Sequence, residues 1–215
     1  MKRATRVLLL VTQADWGGVQ SFLVRFAQGL KREGREVLIA AGGEGRLFEE
    51  AANAGIPTHH LKEMRREISP LSDWKAIGEI ETLIRAFKPD AIHLNSSKMG
   101  VLGAVAASRI DHASRPWTVY RIGGWAFLEP VGRLKQGLYR FAEKWSAHYK
   151  DVIVTVHPDD ERMAHELGIK PRHRLMTIAN GLDVETFEAH LLLRHEARQQ
   201  LGIPDDAFVL GTVAG

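Results

Sequence analysis

Apolar positions along the chain follow two alternating rhythms. Short runs are apolar at successive positions, beginning with Val7–Thr12, and recur at Glu36–Ala41, Pro57–Leu61, Ala91–Asn95, Trp117–Ile122, Val152–Val156 and Leu175–Ala179. Several of them are apolar on both faces, as strands in a parallel sheet covered on each side must be. The segments between them follow the helical period. Val19, Phe22, Leu23, Phe26, Ala27 and Leu30 fall on one stripe, and Gly34 stands where a helix-ending glycine belongs, with Lys31 and Arg32 favourable at the negative end of the dipole. Trp74, Ile77, Ile80, Leu83, Ile84 and Phe87 form a second stripe that Pro89 stops. Leu134, Leu138, Phe141, Ala142, Trp145 and Tyr149 form a third. Repeated β-α-β order predicts a doubly wound, parallel, Rossmann-like α/β sheet.

The ends of the chain read differently. "MKRATRVLLLVTQ" has the charges and apolar stretch of a leader, but the stretch is short, lacks a cleavage site and runs into glycines. It reads as the first strand. After Ala179 come an Asn-Gly turn, a charged helical stretch and then "AFVLGTVAG", which reads as one more strand ending in glycine. The expected organisation is a Rossmann-like domain over 1–185, a linker over 186–206, and the first strand of a second domain over 207–215.

Composition narrows the classes. With 45% apolar and 26% charged residues, the chain of 215 reads as an ordinary soluble globular protein. No run approaches the ~18 apolar residues that span a bilayer. The absence of cysteine removes disulfides and thiol chemistry and fits the cytoplasm. A net charge of +3 suits an anionic ligand or surface without requiring one.

The first strand runs into Asp15-Trp16-Gly17-Gly18 just before the first helix. Ligands of doubly wound sheets bind beyond the carboxyl ends of the strands, and helix N-terminal amides attract anions. Two residues without side chains there either let a phosphate approach or make a tight turn with positive φ; the residues alone leave both open. "GGEGRL" at Gly42–Leu47 reads as a turn, and neither a G-x-G-x-x-G after the first strand nor a P-loop is present. No two of the ten histidines are spaced by three or four, and no G-x-S-x-G occurs. Metal and nucleophilic hydrolase chemistry therefore lack an anchor. His93 and Asn95 end the fourth strand, and Ser96 or Ser97 can cap the next helix. Lys98 opposes the dipole in that helix's first turn, which hints at an anion or acceptor nearby, or is a solvated lysine. Arg121, Gly123, Gly124 and Trp125 end the fifth strand and face the same crevice.

The ordered set "GGVQSFLVRFAQGL", "HLNSSKMGVLG", "VYRIGGWAF" and "IANGLDVETF" resembles the group 1 retaining glycosyltransferases of the GT-B fold. The resemblance implies the N-terminal, acceptor-side half of two Rossmann-like domains that flank a cleft. It implies transfer of a sugar from a nucleotide diphosphate sugar to a glycan or lipid-linked acceptor, with no cofactor and no obligatory metal. It assigns Gly17 and Gly18 to the donor diphosphate, Asp15, Trp16, His93, Asn95, Ser96, Lys98, Arg121, Gly123 and Trp125 to the cleft, and Asn180 and Gly181 to the hinge turn. The family often carries His-Gly where this chain has Gly123-Gly124, and its E-x7-E segment belongs to the second domain. A fragment with half a cleft is expected to be inactive alone. The resemblance further implies work at the cytoplasmic membrane face. There Arg133, Lys135, Arg140, Lys144 and Lys150, interleaved with Tyr139, Trp145 and Tyr149, would meet anionic lipid, or simply form a solvated basic face. A non-catalytic nucleotide-, anion- or protein-binding module is the main rival, and a sugar-nucleotide epimerase a lesser one. No aromatic-basic motif supports nucleic-acid binding. The sequence is silent on the sugar, the base and the oligomeric state.

Overall fold

The computed structural model describes residues 5–181, 184, 188 and 191–212. It divides into two compact units, residues 1–179 and 180–215. In the first unit seven strands form one parallel sheet: β1 (Arg6–Gln13), β2 (Glu36–Gly42), β3 (Thr58–Leu61), β4 (Ala91–Asn95), β5 (Trp117–Ile122), β6 (Val152–Thr155) and β7 (Arg174–Thr177). Their order across the sheet is β3-β2-β1-β4-β5-β6-β7. The chain therefore winds outward in both directions from the β1/β4 pair, which is the switch point where such sheets bind ligands. All seven strands expected before Asn180 are present.

Helices α1 (Gly18–Arg32) and α2 (Arg46–Asn53) belong to one packed layer, in which Leu9, Val11 and Ile39 meet Leu23, Ala27 and Leu47. Helices α3 (Pro70–Phe87), α4 (Ser97–Ser108), α5 (Arg133–Ala147) and α6 (Pro158–Leu167) belong to the other, where Leu8, Leu10, Leu94 and Tyr120 meet Ile80, Met99 and Ala107. Successive β1 leucines thus enter opposite cores, which is why that strand is apolar at every step. Gly34 ends α1 in the left-handed region, with its amide on the Lys31 carbonyl. The small residues of α4 are there for packing. A Cβ on Gly100 would sit 2.4 Å from the Tyr120 ring, and one on Gly103 2.5 Å from Leu94.

The third stripe departs from expectation. Leu134, Leu138, Phe141 and Trp145 face outward, 89%, 53%, 66% and 43% exposed, while Glu143, Ser146 and Ala147 face the sheet. The inward face is claimed by a buried polar cluster. Tyr120 Oη donates to Glu143 Oε1 at 2.8 Å, and Lys150 Nζ lies 3.0 Å from Glu143 Oε2 and 4.0 Å from the Tyr120 ring centroid. Burial, then the Glu143 carboxylate, push the Tyr120 phenol well up, so it stays a donor. Lys150, expected on the solvated basic face, is thus fully buried. Trp74 is likewise outside its stripe, because Ala76, Ile80, Leu83 and Ile84 are the inward positions of α3.

In the second unit α7 (Arg194–Leu201) falls within the expected linker, and Gly202 ends it in the left-handed region. The boundary lies at 179/180 rather than 185. Ala207–Thr212 is not part of a strand, although one was expected at 207–215; Phe208 and Leu210 are almost fully exposed, and residues 213–215 lie outside the described residues. Most of "GLDVETF" also falls outside them. Among the described residues, no helix is long and apolar enough to cross a membrane.

Candidate functional site

Register brings the sequence's candidate residues to one edge. Val11 of β1 lies beside Asn95 of β4, Asn95 beside Arg121 of β5, and Arg121 beside Val154 of β6. The loops after these strands therefore rise side by side over the β1/β4 switch point. A hydroxyl pair ties the two central strands together just past their ends, Thr12 Oγ1 to Ser96 Oγ at 2.6 Å. Ser96 also caps α4 by accepting from the Met99 amide, and does so at φ 109, a backbone region that side chains rarely occupy.

At the β1–α1 turn Gly17 is extended, with φ −166, so the tight positive-φ turn is not what the glycines provide. A Cβ on Gly18 would meet nothing within 4 Å, and one on Gly17 only Gln20 Oε1 at 3.4 Å. No side chain caps α1, and its first turn holds no carboxylate. The turn is held from below, with Gln20 Nε2 donating to the Gln13 carbonyl and the Leu47 amide donating to the Ala14 carbonyl. The result is an open, fixed set of helix-start amides with room above it, which is what a phosphate needs.

The remaining candidates separate by depth. His93 is half-buried beneath α1, its ring 5.1 Å from Phe26 and 6.4 Å from Phe22. Burial, and then the Arg121 cation, lower its pKa to about 4, so it is neutral at pH 7. The Arg121 guanidinium lies 4.0 Å from the Phe22 ring centroid, only 7% exposed. Gly123 and Gly124 are exposed with open space around them, and Gly124 has φ +152. Asp15 and Trp16 are exposed; Arg66 reaches Asp15 at 3.8 Å, and Arg46 lies over Trp16.

Three expectations need correction. Asn95 is fully buried, its Nδ2 donating to the Leu10 carbonyl and lying 3.0 Å from His93 Nδ1, so it braces strands rather than lining the crevice. Trp125 is 2% exposed, stacked on Phe127 with its indole N–H donating to the Asp160 carbonyl. Lys98 does have its anion, but that anion is the Asp73 carboxylate at 2.6 Å. Asn180 and Gly181 are exposed and open the second unit.

Two hollows adjoin the crevice edge. One of about 430 Å³ is lined by Gln13, Asp15, His60, Lys62, Arg65 and Arg66 among others. The other, about 320 Å³, is an apolar groove walled by Ile68, Val101, Leu102, Leu138 and Ala142, with Arg66 and the Lys98–Asp73 pair at its polar side. A larger cavity of about 1060 Å³ opens at the opposite, amino edge around Pro89, Asp90, Arg115 and Trp117, and shares no residue with the crevice. The Thr12–Ser96 tie, the Asp73 partner and the Tyr120–Glu143–Lys150 cluster were missed by sequence reasoning. Each joins residues at least seven positions apart, and no local pattern announces them.

A doubly wound sheet with an open helix start at its switch point is an architecture that binds ligands beyond the carboxyl ends of its strands. Comparison with known proteins makes this specific. Residues 17–181 match the family described as "Glycosyl transferase 4-like domain", and the chain belongs to that family. It is 28% identical over 149 residues to the Escherichia coli UDP-Gal:alpha-D-GlcNAc-diphosphoundecaprenol alpha-1,3-galactosyltransferase, covering 69% of this chain and 38% of that one. It is 24% identical over 209 residues to the putative glycosyltransferase EpsD of Bacillus subtilis (strain 168), covering 96% and 52%. Among solved structures, Anabaena Alr3699/HepE in complex with UDP and glucose superposes with a TM-score of 0.70 at 17% identity, over 92% of this chain and 50% of that one. A glycosyltransferase from Rickettsia africae gives 0.69 at 16%, over 94% and 50%. The fold is thus the Rossmann-like half of a GT-B glycosyltransferase, and the chain spans about half or less of the length of these relatives.

Proposed function

We propose that this chain forms the acceptor-side half of a retaining glycosyltransferase that moves a sugar from a nucleotide diphosphate sugar to a glycan or lipid-linked acceptor. We place its work in the cytoplasm, at the inner face of the membrane. The observation that carries the reading is the uncapped, carboxylate-free start of α1 at the switch point, open above Gly18. Charge develops on the departing diphosphate, and fixed amides stabilise such charge without reorganising. Arg121, whose guanidinium lies over the Phe22 ring, adds a held cation beneath the same edge. The open Gly123–Gly124 turn leaves room for a sugar where the family often has a histidine. The names of the relatives support the substrate class: the E. coli enzyme uses UDP-Gal and a diphosphoundecaprenol-linked acceptor, and the Anabaena crystals hold UDP and glucose. No metal or redox cofactor enters this reading. In it the opposing wall, with most of the donor contacts, comes from the kind of lobe that fills the unmatched half of the relatives, so the 215 residues alone do not turn over.

Amide NMR during titration with UDP and UDP-glucose tests the proposal. Shifts concentrated at Gly17–Gln20 and Gly123–Gly124 are expected at millimolar ligand. No shift at those amides sinks it. Transfer of labelled sugar by the 215-residue chain on its own would sink the half-site part.

A further inference from the structure

The hollow of about 1060 Å³ at the amino edge lies at the top of the size range of small-ligand pockets, and the transferase reading makes no use of it. Ala91, Val119 and Val152, towards the amino ends of β4, β5 and β6, give it an apolar floor. One wall is Trp117, which is 39% exposed although it opens a strand inside the sheet. His173 lies against that indole with ring centroids 5.0 Å apart, but it lines only a smaller neighbouring hollow of about 430 Å³. Trp117 lines both, so the indole has a covered side and a side open to the larger hollow.

Three cations, Arg85, Lys88 and Arg115, share the lining with one acid, Asp90. The Asp90 carboxylate is engaged, accepting from the Thr5 amide and hydroxyl and from the Arg6 amide. Arg85 is engaged too, 2.9 Å from Glu81. The other two keep donors in hand. Arg115 donates once, from Nη2 to the Ser108 carbonyl, and pairs with no carboxylate among the described residues. The Lys88 ammonium has no hydrogen bond or ion pair among them. Lys88 also stands where this chain otherwise places glycine. Helices α1, α2, α6 and α7 end on left-handed Gly34, Gly55, Gly168 and Gly202, whereas α3 ends on Lys88 at φ 50. A side chain is harder to hold there than none. The helix dipole does not explain it, because Arg85 already supplies a cation in the last turn of α3.

We infer that this hollow binds a nucleoside diphosphate, with the base on the open side of Trp117 and the phosphates at Lys88 and Arg115. A planar base matches an indole face, and such stacking is tolerant of which base is offered. Guanidinium and ammonium groups are the usual partners of phosphate oxygens. Neither Asn nor Gln lines the hollow to read a base edge, so ring area sets the preference and a purine is the better probe. The α1 amides lie at the opposite edge of the sheet, so this site is separate from the donor diphosphate proposed above and does not depend on it.

Titration of the 215-residue chain with ADP, followed by amide and indole N–H NMR, tests the inference. The Trp117 indole and the Lys88 and Arg115 amides are expected to shift at millimolar ADP. Adenosine and inorganic pyrophosphate, each carrying half of the ligand, should bind at least tenfold more weakly at the same signals. Trp117→Leu should weaken ADP binding about tenfold. Lys88→Gly and Arg115→Gln should weaken it about fivefold each. Lys88→Gly relieves the backbone and should fold at least as well as the parent, so its lost binding is not lost structure. Gly18→Ala should leave these shifts unchanged. No shift at Trp117 overturns the inference, and so does full affinity in the Lys88→Gly, Arg115→Gln double variant. Pyrophosphate binding as well as ADP would reduce the site to an anion contact, and adenosine binding as well as ADP to an apolar slot; either result also overturns it. UDP shifts at Gly17–Gln20 and ADP shifts at Trp117 are separate signals, so either reading can fail while the other stands.

Discussion

Two glycine clusters stand on neighbouring loops of the same sheet edge, and they are glycine for opposite reasons. After β2, a Cβ on Gly42 would sit 2.3 Å from the Met64 carbonyl oxygen, and one on Gly45 2.3 Å from the Ala14 carbonyl oxygen. Gly43 has φ +69, and a Cβ on it would sit 2.5 Å from Gln13 Oε1. That cluster is needed by packing, since it lets the start of α2 press against the β1–α1 turn. After β1, a Cβ on Gly18 would meet nothing. Chain economy does not explain an open glycine, because glycine loses more entropy on folding than any residue that would fit there. The packed cluster buttresses; the open one leaves the space that the proposed diphosphate would use. Glycine content alone cannot tell the two apart, but the contact a Cβ would make shows which of them packing requires.

The largest expected effect breaks the buttress. Gly45→Ala drives a methyl into backbone that has no rotamer to yield, and should destabilise the fold by about 3 kcal/mol, the upper range for overpacking. Chemical denaturation measures this. A loss under 1 kcal/mol would mean that the two loops are not pressed together as the 2.3 Å approach requires.

A second test asks whether the floor under the open cluster is dry. His93 has a pKa of about 4 in the fold against 6.5 unfolded, so on acidification the unfolded chain takes up its proton first. Stability present above pH 6.5 is therefore lost as the pH falls from 6.5 towards 4, by at most about 3 kcal/mol. Stability measured across that range should rise with pH, and His93→Asn should flatten the slope. An unchanged slope in the variant would place His93 in water.

The fold was legible because seven strands are apolar where a two-sided sheet must be, and because Gly34 and Pro89 stop their helices where they should. The orientation of α5 was not. Periodicity identifies a stripe but cannot say which side meets the sheet when Glu143 and Lys150 neutralise each other inside. The place of Gly17 and Gly18 was legible, since a strand–glycine–helix junction fixes position on the edge. The reading failed at Asn95, Lys98 and Trp125, whose partners are Leu10, Asp73 and Asp160. Arrival at a strand's end does not settle which way a side chain turns, and a distant partner decides it.

Ser96 sharpens the same contrast from the other direction, being a side chain held where glycine would be easier. Ser96→Ala loses the Thr12 bond and the cap while keeping φ 109, at about 2 kcal/mol. Ser96→Gly loses the same bonds but relieves the backbone, and should recover about 1 kcal/mol of that. Equal destabilisation by the two variants would show that the φ carries no strain.

The smallest effect on stability is the most telling about function. Gly18 is the first residue of α1, and alanine there fits without contact and narrows the unfolded ensemble, so Gly18→Ala should leave stability unchanged or raise it by about 0.5 kcal/mol. Nothing within the protein touches the added methyl. A diphosphate approaching the α1 amides would touch it, because that approach needs the space the missing side chain leaves. The variant should therefore fold at least as well as the parent while its UDP-induced shifts at Gly17–Gln20 weaken about tenfold, a loss of about 1.4 kcal/mol in binding. A variant both more stable and equally able to bind UDP would show that the opening above Gly18 serves no phosphate, and the difference between the two glycine clusters would then be one of packing alone.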